Sequence, residues 1–192
     1  MFRNVSFTLE NKDSLAITGK NGSGKSTLIK ILASIFTQNS GEFSVDIDRK
    51  KTESRVYYKY IGLVSPYLNL YDEFTGYENL RFVSKVRGLD GSNIDTVLKR
   101  VGLWERRNDM VKIYSSGMKQ RIKIAFAIMH EPLILLFDEP TSNLDSEGVK
   151  LVDEIAREQK ENKILIIATN DEHEKSLCEK ELNLNLMRGG LK

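Results

Sequence analysis

The segment Gly19-Lys20-Asn21-Gly22-Ser23-Gly24-Lys25-Ser26-Thr27 constrains this chain more than any other feature. It matches G-x-x-x-x-G-K-[ST], and its flanks give the match meaning. Leu15–Thr18 before it reads as a buried strand, while Leu28, Ile31, Leu32 and Ile35 after it repeat with helical spacing. A strand, a glycine-rich turn and a helix in that order make a phosphate cradle. The glycines let the backbone wrap closely around an anion with its N–H groups turned inward. The helix N-terminus adds partial positive charge. Asn21, Gly22, Ser23, Gly24, Lys25, Ser26 and Thr27 are therefore candidate nucleotide-binding residues. Lys25 is placed to reach the β- and γ-phosphates and Ser26 to ligate Mg²⁺.

A second run, Leu133-Ile134-Leu135-Leu136-Phe137-Asp138-Glu139, reads as a buried strand ending in two acids. Ligands sit at the carboxyl ends of strands in a parallel sheet. Asp138 is the candidate metal-side carboxylate, and Glu139 the candidate group that orients and polarises an attacking water. Alone, an apolar run plus two acids is weak, since a strand end often carries a solvated acid. The upstream phosphate loop makes it specific.

The remaining chain is consistent with one domain around these two motifs. Its 192 residues and 40% hydrophobic content suffice for a core. The net charge of +2 gives no basic field arguing for nucleic acid. A single cysteine, Cys178, excludes an internal disulfide framework or a multi-cysteine zinc site, and reads as a buried thiol in a reducing compartment. The start carries no apolar signal-peptide region, and no apolar run approaches the roughly 18 residues of a membrane span, so a cytoplasmic location is expected. Val5, Phe7 and Leu9 alternate as in a half-buried strand, as do Phe43, Val45 and Ile47; Tyr60–Val64 and Ile164–Ala168 read as strands, and Leu182, Leu184 and Leu186 as a last one. Helical spacing marks Leu80, Val83 and Val86, then Ile94, Val97, Leu98 and Val101, then Ser115–Met129, and a helix around Ser146–Lys160. Continuous apolar strands alternating with helices predict a parallel sheet covered on both faces. The expected fold is α/β: a P-loop core at about 1–69 and 131–192, an inserted helical subdomain at about 70–130, and an antiparallel β portion near the N-terminus.

Further stretches resemble the ATP-binding subunit of an ABC transporter. Tyr114-Ser115-Ser116-Gly117-Met118-Lys119-Gln120-Arg121 looks like the family's signature, and Ser142-Asn143-Leu144-Asp145 like its D-loop. Ile61–Val64 leading to Tyr71–Thr75 and Glu78-Asn79-Leu80 is similar to its Q-loop region. The resemblance covers nearly the whole chain. It implies that two such domains pair head-to-tail around two ATP molecules. Each ATP would touch the P-loop of one chain and the signature, here Ser115 and Gly117, of the other. Asp145 would couple the two sites, and a transmembrane partner would turn the cycle of closing and hydrolysis into transport, with contact to the membrane through that partner alone.

Four departures from the family pattern carry expectations. The Q-loop glutamine aligns with Pro66, which has no side-chain oxygen and stiffens the loop; neighbouring Ser65 and Tyr67 receive no role. The switch histidine aligns with Asn170, which can donate to a γ-phosphate but cannot carry a proton. In the signature, Ser116 stands for a glycine and Met118 for a glutamine. The family's first strand and adenine-stacking aromatic have no clear counterpart before Val5, Phe2 being a poor one, so weak stacking is expected. Losing a polar contact in such a site slows turnover about 10²–10³-fold. The alternative to a transport ATPase is therefore an ATP-dependent interaction switch with little or no hydrolysis. His130 and His173 are assigned no chemistry. Trp104 is expected to pack within the helical region, and Lys119, Arg121 and Lys123 to form a solvated face.

Overall fold

The computed structural model describes residues 2–47 and 49–186 of the chain. Five strands form one sheet: β1 (Ser14–Thr18), β4 (Ile61–Val64), β5 (Ile134–Asp138), β6 (Ile164–Ala168) and β7 (Lys180–Asn183). Their order is β4-β5-β6-β1-β7, and every pairing is parallel. Each strand except β7 reads as an unbroken apolar or small-residue run because both faces are covered. On one face Leu15, Ile17, Leu136, Ile166 and Leu182 pack against Leu28, Ile29 and Leu32 of helix α1 (Lys25–Leu32). On the other, Leu135, Phe137, Leu165 and Ile167 join a cluster with four helices: α2 (Gly76–Val86), α3 (Ile94–Arg100), α4 (Ser116–Ile128) and α5 (Ser146–Asn162). A short helix, α6 (Glu172–Ser176), precedes β7.

The C-terminal part of helix α4 is buried on all sides, with Ile124, Ala125, Phe126, Ala127 and Ile128, and Ile122 before them, all in the core. It lies against β4, where a Cβ on Gly62 would collide with the Ala127 carbonyl oxygen and stand 2.8 Å from Pro132 Cγ. The helices of the middle segment begin on specific caps. Thr75 and Glu78 form a reciprocal capping box at α2. Ser115 caps α4 and Asp145 caps α5.

The antiparallel portion is smaller than expected. It comprises two two-residue strands, β2 (Asp46–Ile47) and β3 (Lys50–Lys51). Residues 5–9 alternate in burial but form no strand, since Val5, Phe7 and Leu9 rest on the cluster beside α1 without a neighbouring strand to pair with among the described residues. Phe43 packs on the same cluster outside any strand, and Val45, also outside β2, accepts a hydrogen bond on its carbonyl from the Thr52 N–H at 2.9 Å. Helix α1 ends at Leu32 and the chain turns at Ser34 (φ 57°), which leaves Ile35 exposed. Val86, at the last turn of α2, is also exposed. The last strand stops at Asn183; Leu184 is buried in a turn and Leu186 is exposed.

Candidate nucleotide site

The phosphate loop leaves the carboxyl end of β1 and enters α1. Gly22 (φ 74°) and Gly24 (φ 108°) adopt backbone angles that a side chain would strain, and Gly24 is the residue from which α1 starts. Ser23 is fully buried, and its hydroxyl has no hydrogen-bond partner among the described residues. An orphaned buried hydroxyl inside such a loop matches a site built for an anion. Lys25 is only 7% exposed, and its ammonium donates to the Gly19 carbonyl oxygen at 2.8 Å. Asn21 lies exposed at the loop's outer edge, and Thr27 is half-buried in the first turn of α1.

Asp138 ends β5, two strands away from β1, and is 1% exposed. Two hydroxyls hold its carboxylate. Ser26 Oγ donates to Oδ1 at 3.1 Å, and Ser65 Oγ donates to Oδ2 at 3.4 Å. Burial raises its pKa; neighbouring Glu139 pushes the same way, against the two hydroxyls and Lys25. The residue pair Ser26 and Asp138 offers only hard oxygen donors, which suit a small hard cation. Glu139 follows at φ 50°, a sparsely allowed conformation for a glutamate, pinned by its N–H donating to the Ala168 carbonyl oxygen at 3.0 Å.

Asn170, just past β6, reaches the same place: its Nδ2 donates to Asn21 Oδ1 at 2.7 Å. The loop after β6 and the phosphate loop are thus joined by their amides. Ser115 and Gly117 stand apart from this group at the N-terminus of α4. Ser115 is exposed and its Oγ accepts from the Met118 N–H at 3.2 Å; a Cβ on Gly117 would stand 2.9 Å from the Asn143 carbonyl oxygen. The structure therefore brings Asn21, Lys25, Ser26, Asp138, Glu139 and Asn170 to one end of the sheet. It sets Ser115 and Gly117 beside the Asn143–Asp145 segment.

Several residues with no assigned role tie these parts together. Gln120 of α4, 5% exposed, donates to the Pro140 carbonyl oxygen at 2.8 Å. Glu174 of α6 accepts from both the N–H and the hydroxyl of Thr141, at 2.8 and 2.5 Å. A glutamine on the inward face of an apolar helix was a readable signal; a glutamate in a five-residue polar helix carried none. The three cations of α4 are all engaged and form no solvated face. Lys119 pairs with Asp72, Arg121 with Asp145, and Lys123 with the carbonyls of residues 65 and 66. Periodicity reports which side of a helix is polar, and these partners come from distant loops.

Trp104 and His173 lie as expected. Trp104 packs on the helical cluster with the Lys99 ammonium 4.8 Å and the Arg107 guanidinium 3.9 Å from its ring. His173 lies on the surface of α6 against Asp153 at 2.9 Å. Cys178 is half-buried and its thiol is pushed up to about 12 by burial, which disfavours the thiolate. Phe2 packs against the cluster beside α1. No helix among the described residues is long and apolar enough to cross a membrane.

Fold and loop together define a P-loop nucleotide-binding domain. Residues 2–142 match the family model described as ABC transporter. The chain is 33% identical to the ABC transporter ATP-binding protein NatA of Bacillus subtilis (strain 168), over 98% of this chain and 81% of that protein. It is 36% identical to the uncharacterized ABC transporter ATP-binding protein YdbJ of the same organism, over 78% of this chain. In that pairing it spans about half the relative's length, 49%. Among solved structures, an ATP binding subunit of an ABC transporter superposes with a TM-score of 0.82 at 26% identity, over 95% of this chain and 78% of that one. A dimeric post-hydrolysis state of the ATP-binding cassette MJ0796, bound to ADP and Pi, gives 0.79 at 26% identity, over 95% and 85%. The chain belongs to the family of ABC transporter ATP-binding proteins.

Proposed function

We propose that the chain binds ATP on residues 19–27, hydrolyses it within a head-to-tail pair of ATP-binding domains, and powers transport by a transmembrane partner. Residues of about 1–69 and 131–192 form the nucleotide core in this reading, and about 70–130 carry the signature. The observation that carries it is the Ser26–Asp138 hydrogen bond at 3.1 Å, with buried Lys25 beside it. A hydroxyl, a carboxylate and an ammonium converge where a strand end meets a helix N-terminus, the arrangement that phosphoryl transfer requires.

Mg²⁺ fits this donor set. Ser26 and Asp138 are oxygen ligands, and the buried carboxylate lacks a full counter-charge that a divalent cation provides. Bound there, the ion would neutralise charge on the phosphate oxygens. Lys25 holds the β- and γ-phosphates, and the loop N–H groups cradle them. Glu139 orients a water toward the γ-phosphorus and accepts its proton as ADP leaves. Asn170 donates its amide to a γ-phosphate oxygen. Ser115 and Gly117 reach the ATP of the second domain. A transmembrane subunit would bring the chain to the cytoplasmic face of a membrane.

A second reading, a switch that pairs on ATP with little turnover, is favoured by Pro66 and Asn170, neither of which can carry a proton or accept one. Phosphate release by wild type beside Lys25→Ala and Glu139→Gln tests both readings. The transport-ATPase reading expects multiple turnovers by wild type, weak ATP binding by Lys25→Ala, and turnover reduced about 10²-fold or more by Glu139→Gln. Nucleotide binding with no turnover, even beside a membrane partner, would favour the switch.

A further inference from the structure

Among the described residues, Lys123 is the one cation of α4 that meets no carboxylate. Its ammonium, partly buried and with its pKa lowered chiefly by that burial, donates to the carbonyl oxygens of Ser65 at 3.4 Å and Pro66 at 3.0 Å. Both carbonyls belong to the loop that leaves β4. The side chain of that same Ser65 is 3% exposed. Its hydroxyl donates to Asp138 Oδ2 and accepts from the Tyr67 N–H, each at 3.4 Å. One short loop is thus clamped through its backbone by α4 and offers a hydroxyl to the carboxylate at the nucleotide site. Pro66, with its fixed φ, stiffens the clamp. Tyr67 is further fixed by the Lys30 ammonium, 3.9 Å from its ring centre.

The chemistry of the carboxylate gives this arrangement a purpose. An ionised carboxylate has about four acceptor positions. Ser26 and Ser65 take one on each oxygen, which fixes the plane of the group and leaves positions for a cation or its waters. We propose that Ser65 and Lys123 are positioning residues for the carboxylate of Asp138. Ser65 orients Asp138, and Lys123 holds Ser65 in place from the helix that begins at Ser115. The position of that helix is thereby felt at the metal side of the nucleotide site. This inference rests on reading Asp138 as the metal-side carboxylate.

The test measures affinity for the non-hydrolysable analogue AMP-PNP by titration calorimetry, on the full chain, with Mg²⁺ and again in EDTA. Ser65→Ala and Lys123→Met each lower the Mg²⁺-supported affinity about tenfold, the size expected for a group that orients a ligand carboxylate. Affinity in EDTA stays at the wild-type value for both. The double variant is no weaker than either single one, because the two act in series. Lys123→Arg, which can still donate to both carbonyls, restores the wild-type value. The proposal is overturned if either single variant leaves the Mg²⁺-supported affinity unchanged, if the two losses multiply, or if affinity falls equally in EDTA. Asp138→Asn separates this failure from that of the underlying reading. If it retains the full Mg²⁺ increment, Asp138 does not hold the ion, and the inference falls with that assignment. If it abolishes the increment while Ser65→Ala changes nothing, only the inference falls.

Discussion

Glu139 is held in a backbone conformation that few glutamates adopt, and it sits one residue beyond a fully buried aspartate. Such strain persists only where surrounding structure enforces it, here through the sheet bond to Ala168. In the proposed mechanism the two adjacent acids perform different jobs, Asp138 on the metal side and Glu139 on the water. His130 shows the opposite use of burial. Its Nε2 lies 3.1 Å from the Ile61 carbonyl oxygen and 3.0 Å from Arg87 Nη1, far from the nucleotide loop. Desolvation, helped by the Arg87 charge, lowers its pKa from 6.5 to about 4. The unfolded chain therefore binds this proton between pH 6.5 and about 4 while the folded one does not. The stability tied to neutral His130 is complete above pH 6.5 and is lost as pH falls toward 4. After discounting for its partial exposure, the loss is roughly 1–3 kcal/mol. Melting temperature against pH should fall more steeply for wild type than for His130→Gln across that window; parallel curves would remove the argument.

At the scale of elements, the contact of α4 with β4 is the tightest constraint. Gly62 leaves no room for a methyl group between β4 and the backbone of α4. Gly62→Ala should destabilise the protein by about 1–3 kcal/mol, read as a lower denaturant midpoint, because the helix backbone cannot yield as a flexible side chain can. An unchanged midpoint would mean that α4 is free to shift. The same helix shows what sequence patterning carries and what it omits. The 3.6-residue repeats of residues 94–101 and 115–129 located α3 and α4 closely, since burial of a face is a local property. Pairing is not local. Residues 5–9 have the burial rhythm of a strand and no strand beside them, so alternation reported a packed face and missed the absent ladder. For the same reason Lys123 looked like a surface charge: its carbonyl partners lie more than fifty positions away. The loop motif and Asp138-Glu139 were legible because phosphate chemistry demands those residue types at fixed spacing. Ser65 and Glu174 satisfy tertiary geometry that no short spacing encodes.

For the whole molecule, the head-to-tail reading turns on the placement of Ser115. Ser115 caps α4 and is exposed, and its hydroxyl accepts from the Met118 N–H at its own helix start. A nucleotide on the loop of one copy would have to meet Ser115 of another, as the head-to-tail reading requires. Ser115→Asp separates the cap from that role. Aspartate caps a helix as well as serine does, so the fold should keep its stability to within about 1 kcal/mol. Its charge repels a γ-phosphate, so ATP-induced pairing should be lost. Pairing that survives in this variant would place the signature outside the interface.

The central claim is that Glu139 activates water inside an ATP-closed pair of these domains. Its most direct measurement is the sedimentation behaviour of Glu139→Gln beside wild type, with and without Mg-ATP. The account predicts that the variant accumulates as a stable ATP-bound dimer, while wild type passes through that state only transiently and returns to monomer as ADP forms. A variant that turns over ATP at the wild-type rate, or that stays monomeric with ATP bound, would contradict it.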